Sequence, residues 1–230
     1  MADRVLQGHP DIVVTLRRSA RARRITLRIS SLDGRVTLTL PKRVPEREAM
    51  AFAQHKAPWI RKHLAAHVAP VPVTFGVELP VDGITRTVVP GRGRAVWLDG
   101  DTLSVPGSAE TVARRVAGFL KSLARDRLAD ASDGYAARLG RSYAALSLRD
   151  TRSRWGSCTS AGKLMFSWRL ILAPPDVLRY VAAHEVAHLE EMNHSPAFWT
   201  AVERIHGPYD APRHWLRTNG NALHRYRFGD

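Results

Sequence analysis

The chain has 230 residues, 44% hydrophobic and 24% charged, a balance that supports a folded core and excludes wholesale disorder. Lys and Arg number 35 against 21 Asp and Glu, a net charge of +14 that points towards a polyanionic partner. One cysteine excludes an intramolecular disulfide scaffold. The first ten residues lack an apolar leader core, and no run of about 18 apolar residues is present to span a membrane, so a cytoplasmic protein is expected.

Alternation of apolar and polar residues predicts strands at 12–17, 25–30 and 35–40. Asp33-Gly34 marks a hairpin turn between the last two. A helical stretch follows Pro45 and is interrupted at Pro58, near Trp59. Residues 69–74 read as an extended connector, and Asp82-Gly83 and Asp99-Gly100 predict two more hairpins. A helix is expected over 109–139, with Ser108 as N-cap and Gly140 as its stop, although Gly118 and Gly134 weaken it as one unbroken rod. The pattern implies an α+β protein with a basic β-rich region at 1–108 and a second domain at 109–230, or one continuous unit.

Leu146 and Leu148, then Leu164, Phe166 and Trp168, predict two strands flanking Arg154-Trp155-Gly156-Ser157-Cys158. Pro174-Pro175-Asp176 opens a helix that runs to about Glu191. Ser195-Pro196 starts the next one.

Within the first of these helices lies His184-Glu185-Val186-Ala187-His188. Residues four apart share a helix face, so both imidazoles can reach one Zn²⁺, with Glu185 beside them to take a proton from water. Random placement of 10 His and 8 Glu gives roughly 0.015 matches to this pattern, so coincidence is a poor account of it. A catalytic zinc takes three protein ligands and keeps one open position. His194, six residues after His188, is the best third ligand, and Glu203 is the alternative. Asn193 is the residue expected to take a left-handed backbone and fold His194 back. Glu190 and Glu191 read as solvated acids at the helix end.

Other residues have less specific roles. His9, His55, His63 and His67 have no ligand-like context, and His214 and His224 read as surface or packing residues. His206 or Tyr209 is a candidate oxyanion donor, and Cys158 reads as a packing residue. Arg154, Trp155 and Ser157 are candidates to shape the substrate cleft. Phe198 and Trp199 are expected to pack beneath the metal helix and steady His194. A strand near Lys163–Trp168 is expected to offer its edge to an extended peptide.

The motifs Arg154-Trp155-Gly156-Ser157-Cys158, Trp168 to Pro175, His184 to Leu189 and Asn193-His194-Ser195-Pro196-Ala197-Phe198-Trp199 together resemble the YgjP-like family of bacterial metal-dependent hydrolases. The resemblance extends to the basic N-terminal strands and Pro58-Trp59-Ile60. It implies a zincin-like fold for the C-terminal part, similar to SprT-type proteases, some of which degrade proteins crosslinked to DNA. It also implies that His184, His188 and His194 are zinc ligands and Glu185 the base.

The expected function is therefore a zinc metallopeptidase. A zinc hydrolase acting on another bond, and a nucleic-acid or protein-binding module with structural zinc, are the alternatives. Residues 1–70 hold 14 basic and 5 acidic side chains, a net +9, so most of the basic excess lies outside the zinc motif. Arg17, Arg18, Arg21, Arg23, Arg24 and Arg28 are the candidate DNA-contacting residues.

Overall fold

The computed structural model describes residues 2–30, 34–65 and 69–229. The chain divides into two compact units, Met1–Pro70 and Val71–Asp230.

The first unit begins with β1 (Ala2–Leu6), β2 (Ile12–Ser19), β3 (Thr26–Ile29) and β4 (Val36–Pro41), arranged β1-β2-β4-β3. β2 and β4 are parallel; β1–β2 and β3–β4 are antiparallel. The β3–β4 hairpin turns through Gly34 at φ +67°, while its expected partner Asp33 lies outside the described residues. Alternation sends Ile12, Val14, Leu16, Val36, Leu38 and Leu40 inward, where they pack with Ala49, Ala53 and Ile60. Those three come from α1 (Glu46–His55) and α2 (Ala57–Ala65). Pro58 is the second residue of α2, a first-turn position where its missing N–H is no loss. On the sheet's other face, Arg17 pairs with Thr39, which pairs in turn with Thr26, and Thr15 pairs with Thr37, which pairs in turn with Arg28.

The second unit opens with β5 (Val71–Pro72), then β6 (Glu78–Val81), β7 (Ile84–Pro90), β8 (Trp97–Asp99) and β9 (Thr102–Val105). The last four form a sheet in the order β6-β7-β9-β8, with both expected hairpins present. Asp82 and Gly83 both have positive φ, +50° and +83°, the backbone that a two-residue hairpin turn requires. α3 (Ala109–Leu139) runs unbroken for 31 residues and ends on left-handed Gly140. It passes through Gly118 and Gly134 because Val112, Val116, Leu120, Ala124 and Leu128, four residues apart, bury a continuous stripe. That burial outweighs about 1 kcal/mol of helix propensity lost at each glycine.

The boundary lies at Pro70/Val71 rather than at 108/109. Val73, Leu79, Val81, Val88, Leu103 and Val105 share one core with Val112, Val116 and Leu120, so the middle strands fold with the helix that follows them.

Next come β10 (Ala145–Arg149), β11 (Gly156–Cys158) and β12 (Lys163–Ser167), ordered β10-β12-β11. β12 pairs in parallel with β10 and antiparallel with β11, so both its sides are taken. The expectation that the Lys163–Trp168 strand is an edge is therefore corrected: the edges are β10 and β11, the latter a strand too short to alternate visibly. Trp168–Leu172 form a 3-10 turn leading into α4 (Pro175–Ala187). α5 (Pro196–His206), α6 (Asp210–Asn219) and β13 (Tyr226–Arg227) complete the unit, with β13 parallel to β5. No described helix is long and apolar enough to cross a membrane.

Candidate metal centre

α4 is buried on nearly every side, through Val177, Leu178, Tyr180, Val181, Ala182, Ala183, Val186 and Ala187. Against this apolar packing, Glu185 at 6% exposure and His188 at 8% are conspicuous, because burying polar groups is costly unless they have partners or a task.

The helix stops at His188, its C-cap, and one further turn closes with the Glu190 and Glu191 amides donating to the Ala187 carbonyl at 3.0 Å. Among the described residues Asp82 is the only non-glycine with positive φ, so Asn193 does not make the turn by a left-handed backbone as expected. Instead its side-chain Oδ1 accepts from the Ser195 amide at 2.9 Å. Ser195 then caps α5 by accepting from the Phe198 amide. His194 is thus fixed one residue before a capped helix.

The three imidazoles converge. Their ring centroids lie 4.9–5.1 Å apart, and one ligand atom from each falls within 4.8 Å of the others. Nε2 of His184 and Nε2 of His194 are 3.0 Å apart. Glu203, the alternative third ligand, is exposed and not part of this group.

The residues fit a metal ion. His188 Nδ1 lies 2.9 Å from the Glu191 carbonyl, which can only accept, so Nδ1 carries the proton and Nε2 presents its lone pair. Burial, then the neighbouring His188 and His194, depress the His184 pKa to about 3. Burial also lowers that of His188. Neutral imidazoles are what a metal requires. Phe198, fully buried, touches all three rings at 4.5–4.9 Å between centroids, and Trp199 lies 5.8 and 5.9 Å from His184 and His194.

Glu185 faces β11. Burial raises its pKa to about 7, opposed by the Arg154 charge and by a hydrogen bond from the Cys158 amide. A Cβ on Gly156 would lie 2.5 Å from both Glu185 Cγ and Oε1, so only glycine admits the carboxyl at this spot. The Trp155 carbonyl accepts from Ser167, and the Thr159 amide donates to Lys163. By alternation, Gly156 and Cys158 turn their backbone polar groups away from β12.

The other predicted residues separate by role. Arg154 is exposed and its charge reaches Glu185, while Ser157 is half-buried on β11. Trp155 stacks on His224 at 5.1 Å. Half-buried Cys158 packs against the core, its thiol pKa pushed up by burial and the Glu185 charge. His206 Nδ1 lies 2.8 Å from the Tyr135 hydroxyl, and Tyr209 stacks on Trp199 and Tyr180. Glu190, expected as a solvated acid, instead pairs with Arg204 at 2.9 Å. All six N-terminal arginines are exposed, and Arg18 is already committed to the Lys42 and Val44 carbonyls. His67 lies outside the described residues. Sequence reasoning missed the Glu191 carbonyl, Tyr180 and Arg213; Tyr180 stands one helical turn before His184, a spacing that could have found it, whereas the other two carry no such signal.

A helix-borne histidine pair completed by a third histidine defines a candidate hydrolytic metal centre. The YgjP-like metallopeptidase domain matches residues 23–219, and the protein is a metallopeptidase. It belongs to the YgjP-like family. No curated protein matches the sequence. Among solved structures, the metallopeptidase zymogen of Pyrococcus abyssi abylysin is similar at 20% identity and a TM-score of 0.36, over 40% of this chain and 92% of that one.

Proposed function

We propose that His184, His188 and His194 hold a zinc ion and that Glu185 is the general base of peptide-bond hydrolysis. The observation that carries this reading is the convergence of three imidazoles within 4.8 Å next to a buried carboxyl. Three nitrogen ligands suit zinc and leave a position for water, whereas structural sites usually close with four ligands. Among the described residues no fourth protein ligand joins the group, which favours catalysis over a structural-zinc binding module.

Zinc in such a site supplies Lewis-acid polarisation of a carbonyl and makes water acidic enough to attack near neutral pH. Glu185 takes the proton as the water oxygen bonds to the carbonyl carbon. It returns that proton to the amine nitrogen as the C–N bond breaks. A carboxyl near pKa 7 is matched to both transfers. The outward groups of Gly156 and Cys158 would align an extended substrate, with the Cys158 amide reserved for Glu185. Glu185→Gln should keep metal-dependent stabilisation and lose casein hydrolysis by about 10²-fold or more. Unchanged hydrolysis would overturn the role of the base.

A second reading concerns the first unit. We infer that it binds nucleic acid through backbone phosphates. Arg17, Arg21, Arg23, Arg24 and Arg28 are exposed, and no acidic side chain among the described residues pairs with them. This unit would bring the peptidase to DNA-associated substrates.

A further inference from the structure

Arg213 lies one helical turn after Tyr209, its amide donating to the Tyr209 carbonyl at 3.1 Å. Both side chains therefore leave the helix on one side, and both meet Trp199. The Tyr209 ring stacks on it at 5.1 Å, and the Arg213 Cζ sits 4.3 Å over its ring. Trp199 is the residue that borders His184 and His194. One indole thus carries a guanidinium on its ring by a cation–π contact and itself borders two of the three imidazoles.

Among the described residues the Arg213 side chain has no ion pair that would account for it otherwise. α6 buries no residue. Neighbouring arginines are committed elsewhere: Arg204 to both Glu190 oxygens, Arg138 to the Ile205 carbonyl, and Arg169 to Asp150. Arg213 is exposed, and no carboxylate or carbonyl among the described residues accepts from it.

We propose that Arg213 is a further catalytic residue, donating a hydrogen bond to the scissile carbonyl oxygen as negative charge develops there. This rests on the metallopeptidase reading above. When the water oxygen bonds to the carbonyl carbon, the C=O π pair moves onto the carbonyl oxygen. The guanidinium pairs with that charge until the pair returns and the C–N bond breaks, the leaving nitrogen taking the proton from Glu185. A guanidinium is suited to this because it stays charged and offers fixed, parallel donors.

The test compares the zinc-loaded full chain with R213A, R213K and the control R217A, on a fluorescent peptide taken from a site cleaved in casein. R213A should lose roughly 10²–10³-fold in kcat with KM little changed, the usual effect of losing one oxyanion donor. R213K should recover part of the loss, and R217A should match wild type. Affinity for a phosphonate analogue of that peptide, measured by calorimetry, should fall by the same factor as kcat/KM. Zinc affinity and Tm should not move. Wild-type kcat in R213A overturns the proposal. So does a change confined to KM, which marks a clamp for a substrate carboxylate, or a loss that tracks zinc affinity. Failure of the wild type to cleave any peptide bond overturns the metallopeptidase reading as well.

Discussion

Gly156 and Glu185 occupy one another's space: a Cβ at residue 156 would come within 2.5 Å of the Glu185 carboxyl oxygen and 2.7 Å of its carbon. The approach aims the carboxyl, since the neighbouring Cys158 amide is its hydrogen-bond donor. Gly156 is not among the glycines with positive φ, so a side chain there is opposed by the carboxyl rather than by the backbone. Gly156→Ala should swing Glu185 aside and lower kcat by about 10²-fold, the usual cost of an ångström's misplacement. Metal affinity should stay at the wild-type value, because the three atoms nearest the new Cβ all belong to Glu185 and none to an imidazole. Steady-state kinetics beside a zinc titration checks this; full activity would show the close approach to be dispensable.

The metal site makes a separate prediction about stability. A ligand that binds only the folded chain stabilises it by RT ln(1 + [L]/Kd), about 2.7 kcal/mol at a hundredfold excess over Kd. Zinc added to chelator-treated protein should therefore raise Tm. H184A, H188A and H194A should each abolish the rise, while E203A should retain it, since Glu203 lies outside the cluster. Differential scanning fluorimetry with and without zinc decides it. A rise that survives H194A would point to another third ligand.

What the sequence made legible was mostly local. His184 and His188 are recognisable because their spacing is one turn of a helix, and the N-terminal strands because one face is buried. β11 was hidden because three residues carry no period, and with it the fact that β12 is central. The unit boundary was hidden because the partner of Val81 or Leu103 is a helix further along the chain. The turn to His194 was expected to need a left-handed residue, but two side-chain caps, Asn193 and Ser195, perform it. Arg213 is one of many arginines until α6 places it over Trp199.

His224 should make stability depend on pH. It is 5% exposed, and burial, reinforced by the Arg169 charge, holds its pKa at about 4 against an ordinary 6.5. Between those values the unfolded chain binds a proton that the folded chain does not. Stability is therefore complete above 6.5 and is lost as pH falls towards 4, by about 3 kcal/mol. H224F keeps a ring against Trp155 and removes the titration. Urea unfolding at pH 7 and pH 4.5, in chelator, should give a smaller acid loss for H224F than for wild type. The candidate metal histidines are present in both chains, so parallel losses would refute the assignment.

The arginines of the first unit predict how the proposed nucleic-acid binding responds to salt. Arg17 and Arg28 stand on the outward face of the sheet, two strands apart and interleaved with Thr15, Thr26, Thr37 and Thr39. Arg21, Arg23 and Arg24 lie in the connection between β2 and β3. β1 to β4 contain no aromatic residue, so the face lacks the ring platform on which unpaired bases stack. It therefore suits duplex backbone. Each phosphate neutralised contributes about 0.9 to the slope of log K against log salt. Fluorescence anisotropy with a short duplex should show affinity falling steeply as salt rises. Arg17→Gln with Arg28→Gln should flatten the slope by roughly 2 if both engage phosphates. Arg18→Gln should flatten it less, because Arg18 already donates to the Lys42 and Val44 carbonyls. Equal slopes for all three proteins would remove the sheet face as the contact surface, and no binding at low salt would remove the nucleic-acid reading altogether.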